Sequence, residues 1–464
     1  MGFGVMLFLV RLLEPEAYGQ FALVTAIVGF LNVFSHQTFI AYTLQSRSDE
    51  DVHYQVHFTA SGAIQTVMFI LTNVIAVALR FTENYSAVSM FVHVMSVGFI
   101  LEWPCELYRK MLERSLNWRR LRSLHAVGLV VSSLVAISMG YLDAGAYALL
   151  VPGLIVTLPF LYDLFVIRHW RPTWEWNKER YLPAIRFAFS RIASGVVSRS
   201  RKLLESGALV YVLGFAAAGL FERAIALGLM FCQRVATQIM YSLYPIITKL
   251  EPGTPRFGRV SGIILRGVAW FSIPMSVLMA SLAGPIVRVV YGAKWIEVIQ
   301  FVPIAAALGA VGAVLYTAYM LLLAHKEERR CLDADIIAFI GTVPAVLFLL
   351  PKGLGTYLIG LSAIYAIALG YTVHCLFDCG AMERRQLVNA ICPPMLCAGL
   401  AYAVCQGITV AGDLYAENWK FGGSYGIGFS VFYLFFLRFL FTQPFKELVD
   451  YLPGRKVIGR VLLV

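Results

Sequence analysis

Charge is scarce in this chain. Lysine, arginine, aspartate and glutamate make up 14% of its 464 residues, against about 25% in soluble domains. With 59% apolar residues and a mean hydropathy of +0.73, that deficit excludes a water-soluble globular protein. Cysteines in outer loops are missing as well. All eight (Cys105, Cys232, Cys331, Cys375, Cys379, Cys392, Cys397 and Cys405) fall in or beside apolar runs, so no disulfide framework is implied. Cys375 and Cys379 lie one turn apart, but no further ligand group completes a zinc pattern with them. There is no phosphate-binding loop: GTPRFGRV at Gly253 lacks the Lys-Ser/Thr pair such a loop needs, which argues against ATP as a direct energy source. Long loops are absent too. The longest expected outer loop, AGDLYAENWKFGGS, leaves little room for the acid, base and cationic groups of a membrane-embedded glycosyltransferase or polymer ligase.

What the chain has instead is a succession of apolar runs about 20 residues long, the mark of a polytopic all-α membrane protein; the short alternating strands of a β-barrel do not occur. The first run, Gly2 to Leu13, is short for a span, and it lacks the basic start and small-residue cleavage site of a signal peptide. Further spans are expected at about 18–45, 57–79, 86–107, 122–142, 145–167, 183–213, 217–248, 260–290, 296–324, 332–350, 355–378, 386–410 and 425–442, about fourteen with the first. They group into an N-terminal six-helix lobe (1–170), a C-terminal six-helix lobe (180–380), helices 13 and 14 (385–445) and a tail (446–464). With both termini cytoplasmic, inner loops and the tail hold 23 basic residues and outer loops only 5, as the positive-inside rule asks. The net charge of +11 therefore reflects topology, and no nucleic-acid partner follows from it. The two longest inner loops, about 108–121 and 168–182, carry Trp118, Trp170, Trp174 and Trp176 among basic residues, and read as interfacial helices on an anionic leaflet.

An internal repeat runs through this plan. Shifted by 200 residues without gaps, Leu9, Val10, Leu13, Ala17, Gly19, Phe21 and Ala26 recur as Leu209, Val210, Leu213, Ala217, Gly219, Phe221 and Ala226. A parallel six-plus-six repeat is a transporter plan.

The scarce charge is concentrated in the seventh and eighth spans, FAFSRIASGVVSRSRKLLESGALVYVL and AGLFERAIALGLMFCQRVATQIMYSLYPII. Arg186, Arg191, Arg199, Arg201, Lys202, Arg223 and Arg234 are opposed only by Glu205 and Glu222. One such cation at mid-span costs about 2.5–3.5 kcal/mol on insertion scales, so a group of them marks a watery pathway or a partner. Arg191 and Lys202 are eleven residues apart and share a helical face, with Gly195 and Ser198 on the same stripe; Arg223 and Arg234 repeat the spacing. Arg199 is turned about 80° from that stripe. The plainer alternative is that Arg186 and Arg234 snorkel to the boundary and Glu205 neutralises Arg201 and Lys202. The stronger reading is an anion-attracting site of Arg191, Arg199, Arg201, Lys202, Arg223 and Arg234, oriented by Glu205 and Glu222.

Lesser candidates lie elsewhere. Asn32, Ser35, His36, Gln37 and Thr38 make a polar patch in span 2, either glue between helices or a lining of the same site, and Asn32 and His36 are carried as candidates. His53 and His57 follow Asp49, Glu50 and Asp51 and read mainly as a solvated loop. His93 and Glu102 stand isolated in span 4, as packing or as a proton or cation site.

Read together, RLLEPEAYGQFALVTAI at Arg11, VLGFAAAGLFERAIAL at Val212, YGAKW at Tyr291, LERSLNWRRLR after span 4 and LLLAHKEERR after span 10 carry a likeness across nearly the whole chain. The chain resembles the polysaccharide-transporter branch of the multidrug/oligosaccharidyl-lipid/polysaccharide exporter superfamily, the O-antigen and exopolysaccharide flippases of bacterial inner membranes. It departs in its short first span and in Phe221, where that family usually has Tyr. The resemblance implies fourteen helices in two lobes and export of an oligosaccharide on polyprenyl diphosphate by alternating access. It also implies work beside a polysaccharide polymerase and chain-length machinery, without a cofactor and with H+ or Na+ coupling left open. Paired donors on arginine suit the diphosphate. A cation-coupled exporter of small cationic compounds is the rival within the superfamily. It should carry an excess of carboxylates, and these spans show the reverse.

Overall fold

The computed structural model describes residues 3–34, 54–411 and 419–450. All regular structure among them is helical, as a bilayer with no water to satisfy backbone groups requires of a chain that does not close into a barrel. Among the described residues, twelve helical stretches are long and apolar enough to span a membrane. One of these, Gly195–Ile247, is 53 residues long and double: it belongs to helix α8 (Lys178–Ile247), which is broken at Gly214, where φ is 84°. That left-handed backbone is open to glycine and strained for any residue with a Cβ. Helix α1 (Phe3–Leu12) has 10 residues, about 15 Å of rise and half the hydrocarbon thickness.

The chain forms two compact units, Met1–Glu222 and Arg223–Val464, so the boundary falls inside α8. The first unit contains α1, α2 (Pro15–Leu31), α3 (Tyr54–Arg80), α4 (Ser89–Arg114), α5 (Trp118–Tyr141), α6 (Tyr147–Ile155), α7 (Leu158–Tyr162) and the first part of α8. Helix α3 is built inside out. Thr59, Ser61, Gln65 and Thr72 are fully buried, while Val67, Ile70 and Val74, at helical spacing, are exposed on the other side. In water that stripe would be a liability, but facing lipid it is the expected surface.

The expected interfacial helices do not form as such. Helix α4 runs on to Arg114 and α5 begins at Trp118, leaving a tight turn with Leu116 at φ 53°. Residues 169–177 form no regular structure. Pro172 removes an amide donor there, and side chains of α3 take up the neighbouring backbone. Thr173 N donates to Gln55 Oε1 at 2.8 Å, Glu175 N donates to Thr59 Oγ1 at 2.9 Å, and Gln55 Nε2 donates to Arg171 O at 3.3 Å. Trp103, Trp170 and Trp174 close around Phe58 at ring separations of 4.4, 5.3 and 6.0 Å.

Beside the turn, Arg120 Nε donates to Asp163 Oδ2 at 2.8 Å. The second guanidinium arm and the Tyr108 hydroxyl also reach this buried carboxylate, so its charge is fully met.

The second unit repeats the device. It contains the rest of α8, α9 (Pro255–Ser281), α10 (Val302–Ala324), α11 (Glu328–Pro344), α12 (Leu354–Asp378), α13 (Arg384–Ala411), α14 (Trp419–Leu440) and α15 (Thr442–Asp450). Between α10 and α11, His325 N donates to Leu321 O and Glu327 N to Leu322 O, with Lys326 at φ 68°. The turn before α5 has the same two bonds, Ser115 N to Met111 O and Asn117 N to Leu112 O, 210 residues earlier. Arg330 then pairs with Asp378 at 2.7 Å, as Arg120 pairs with Asp163. Helices α13 and α14 dock on α9 through Trp270, whose indole donates to Asn389 O at 3.1 Å and whose carbonyl accepts from the Tyr433 hydroxyl at 2.8 Å.

The 200-residue repeat also has a physical counterpart, and it lies within the first unit. A Cβ on Gly19 would come within 1.9 Å of Phe215 O, and one on Gly219 within 1.8 Å of Pro15 O. Pro15 and Phe215, like Gly19 and Gly219, are 200 apart, so the starts of two repeated helices cross reciprocally, backbone to backbone.

Candidate cationic site

Lys202 and Glu222 are separated by 20 residues, which along one straight helix is about 30 Å. Lys202 Nζ nevertheless stands 2.6 Å from Glu222 Oε1. The break at Gly214 brings this about, turning residues 215–222 back toward the helical arm that precedes it. Glu205, one turn on from Lys202, adds its Oε2 at 3.6 Å. The Phe221 ring lies 5.7 Å from the ammonium, a cation–π contact. The Lys202 side chain keeps 38% of its surface open, against 11% for Glu205 and 22% for Glu222. Twelve residues separate it from the Gly214 turn, about 18 Å of helix, which places it deep in a hydrocarbon layer about 30 Å thick.

The end of α2 lies along the same arm. Arg199 is exposed, with a terminal nitrogen 3.5 Å from where a Gly29 Cβ would stand, and it pairs with no described residue. A Cβ on Gly195 would meet Val33 at 3.2 Å, so glycine is what lets the arm approach. Asn32 is half-buried beside Val33, and its Oδ1 has no hydrogen-bond partner among the described residues. Nearer the Gly214 turn the Tyr85 hydroxyl donates to Gly207 O at 3.1 Å.

Lys202, Glu205 and Glu222 are thus brought together, with Arg199, Asn32 and half-buried Arg201 on the same stretch. The second unit holds the other two cations. Arg223 is buried near Tyr291, whose hydroxyl burial pushes up while the arginine opposes it, and Arg234 is exposed. The eleven-residue spacing of these two does not give them like surroundings. Arg186 and Arg191 lie in α8 among residues whose side chains are not described, and His36 and His53 lie outside the described residues. Sequence reasoning missed Tyr85 and Gly29. Nothing in the pattern linked a loop tyrosine to a helix 122 residues away, though a glycine one helical turn before Asn32 was a readable sign of close approach.

The remaining candidates are packed rather than open. His93 Nδ1 meets Asn73 Oδ1 at 2.7 Å, and the Asn73 amide donates to Ser96 Oγ at 2.9 Å, a polar clasp between α3 and α4. No group of three or more potential metal ligands occurs among the described residues. All eight cysteines are free thiols, six of them buried and only Cys392 exposed.

The sequence profile of the family described as polysaccharide biosynthesis protein matches residues 8–300. The chain belongs to that family. Among curated relatives, an uncharacterized membrane protein in the cps region of Klebsiella pneumoniae is 18% identical over 355 residues, 75% of this chain and 72% of that protein. The succinoglycan biosynthesis transport protein ExoT of Rhizobium meliloti (strain 1021) is 22% identical over 288 residues, 62% of this chain and 58% of that protein. Of solved structures, the lipid II flippase MurJ in its inward closed conformation aligns with a TM-score of 0.71 at 14% identity, over 94% of this chain and 96% of MurJ. An inward-facing multidrug resistance MATE transporter of the MOP superfamily aligns at 0.55 and 14% identity, over 82% of this chain and 96% of its own. These structural likenesses speak for the fold: this polysaccharide biosynthesis family member is a multi-pass membrane protein with the helical architecture of that superfamily.

Proposed function

We propose that the protein is a flippase of the bacterial inner membrane that moves an oligosaccharide carried on polyprenyl diphosphate, for assembly of a cell-surface polysaccharide, by alternating access. The observation that carries this reading is Lys202, 38% of whose side-chain surface is uncovered by protein within a spanning helix, with Arg199 one turn away. A lipid diphosphate is an anion whose tail stays in the bilayer while its head crosses, and charge-assisted hydrogen bonds from lysine and arginine suit its oxygens. An inside-negative potential would assist outward movement by about 2.3 kcal/mol per charge per 100 mV. Family membership and the relatives' names agree with work in polysaccharide export. A non-enzymatic role fits, and a polymerase and chain-length machinery are the partners such a substrate calls for.

The test is flipping of a fluorescent polyprenyl-diphosphate oligosaccharide in proteoliposomes, with wild type beside Lys202→Ala. Loss of one charged hydrogen bond to phosphate should weaken binding by about 1.5–3 kcal/mol, ten- to a hundred-fold. Movement by wild type that persists unchanged in the variant would remove Lys202 from the site. If wild type moved nothing while exporting an organic cation against a proton gradient, the drug-exporter reading would replace this one.

A further inference from the structure

We infer that Glu222 is a built-in stand-in for the substrate's phosphate: it holds Lys202 while the carrier is empty and is displaced from it when the anionic head group binds. This rests on the flippase reading and concerns how the same site is regulated. An ammonium deep in a spanning helix is costly without an anion. Among the described residues Glu222 meets it at 2.6 Å. A phosphate oxygen would use the same kind of charge-assisted bond, and its negative charge would repel the Glu222 carboxylate from the ammonium. The two anions therefore compete.

Geometry gives the competition a mechanical side. Glu205 sits three residues from Lys202 on the same arm of α8, so their contact at 3.6 Å ties the arm only to itself. Glu222 belongs to the other arm, beyond Gly214. When a phosphate takes Lys202, the bond lost is the one between arms, while the bond within the arm can persist. Arrival of substrate releases a tie across the Gly214 turn, and departure restores it, which lets the empty carrier complete its return with Lys202 neutralised.

The consequence is opposite in sign to that of an ordinary binding residue. Glu222→Gln keeps the shape and removes the competing charge, so a polyprenyl diphosphate should bind about ten-fold more tightly. Turnover should fall, because the empty carrier returns without the charged tie across the Gly214 turn, Glu205 alone being left at 3.6 Å from Lys202. The measurement is the Kd of a fluorescent polyprenyl diphosphate for the full chain in nanodiscs, followed by KM and turnover number in proteoliposomes. A fall in both KM and turnover supports the inference. A Kd unchanged or raised in a folded Glu222→Gln overturns it. Should that variant fail to fold, Glu222→Asp, which draws the carboxylate back from Lys202, must move Kd in the same direction or the inference fails. No binding by wild type would instead refute the flippase reading.

Discussion

Replacing Gly219 by alanine is the sharpest test of the reciprocal helix crossing. Its Cβ would stand 1.8 Å from the Pro15 carbonyl oxygen, where ordinary contact begins at 3.4 Å. The obstacle is backbone and cannot rotate aside, so the two helix starts must part by about 1.5 Å in an interior packed like a crystal. Overpacking costs about 1–3 kcal/mol, and a backbone obstacle belongs at the upper end. In a domain of 150–250 residues each kcal/mol lowers the melting temperature by about 2–4 °C, so the expected fall is about 6–12 °C. The assay is thermal unfolding of purified protein in mild detergent. Gly19→Ala meets Phe215 O at 1.9 Å and should behave alike. The double variant should cost little more than either single one, because one separation relieves both collisions. Gly153→Ala is the control: nothing lies within 4 Å of its Cβ, so a helical alanine there should be neutral or stabilising. A Gly219→Ala protein that melts with wild type would refute the crossing.

Arg120→Ala should destabilise by about 3–5 kcal/mol by stranding buried Asp163, whereas Arg330→Ala should cost about 1 kcal/mol or less, since Asp378 is largely exposed; paired melting curves compare them. Tyr85→Phe should lose about 0.5–1.5 kcal/mol with its bond to Gly207. Burial and then Tyr211 push the Tyr85 hydroxyl above its ordinary 10.0. The neutral form is favoured in the fold, so this stabilisation is full below pH 10 and disappears as pH rises through the higher folded value. A difference between wild type and Tyr85→Phe that is as large at high alkaline pH as at neutrality would contradict the assignment.

The helical membrane plan was legible because apolar length is a direct record of the bilayer, and the repeat was legible because Gly19 and Gly219 cannot vary without collision. The Lys202 neighbourhood was legible in part. Helical spacing placed Glu205 near Lys202, but Glu222 reaches it only through the reversal at Gly214, and no one-dimensional period encodes that fold-back. At Arg223, buried, and Arg234, exposed, the eleven-residue period fixes direction from the axis and says nothing of what packs there. The interfacial helices failed for a related reason: tryptophan beside arginine fits any chain at a membrane surface, and at 169–177 the side chains of Gln55 and Thr59, far away in sequence, take the backbone bonds a helix would have used.

The distribution of thiols has a practical consequence. Cys392 is the one exposed cysteine and sits within a spanning helix, while the others are buried or half-buried. The native chain should thus be nearly silent to water-soluble alkylating reagents. A single cysteine introduced along the Lys202 stripe, at Ser198 for instance, would report by its labelling rate when water reaches that stripe, with no prior engineering of the background.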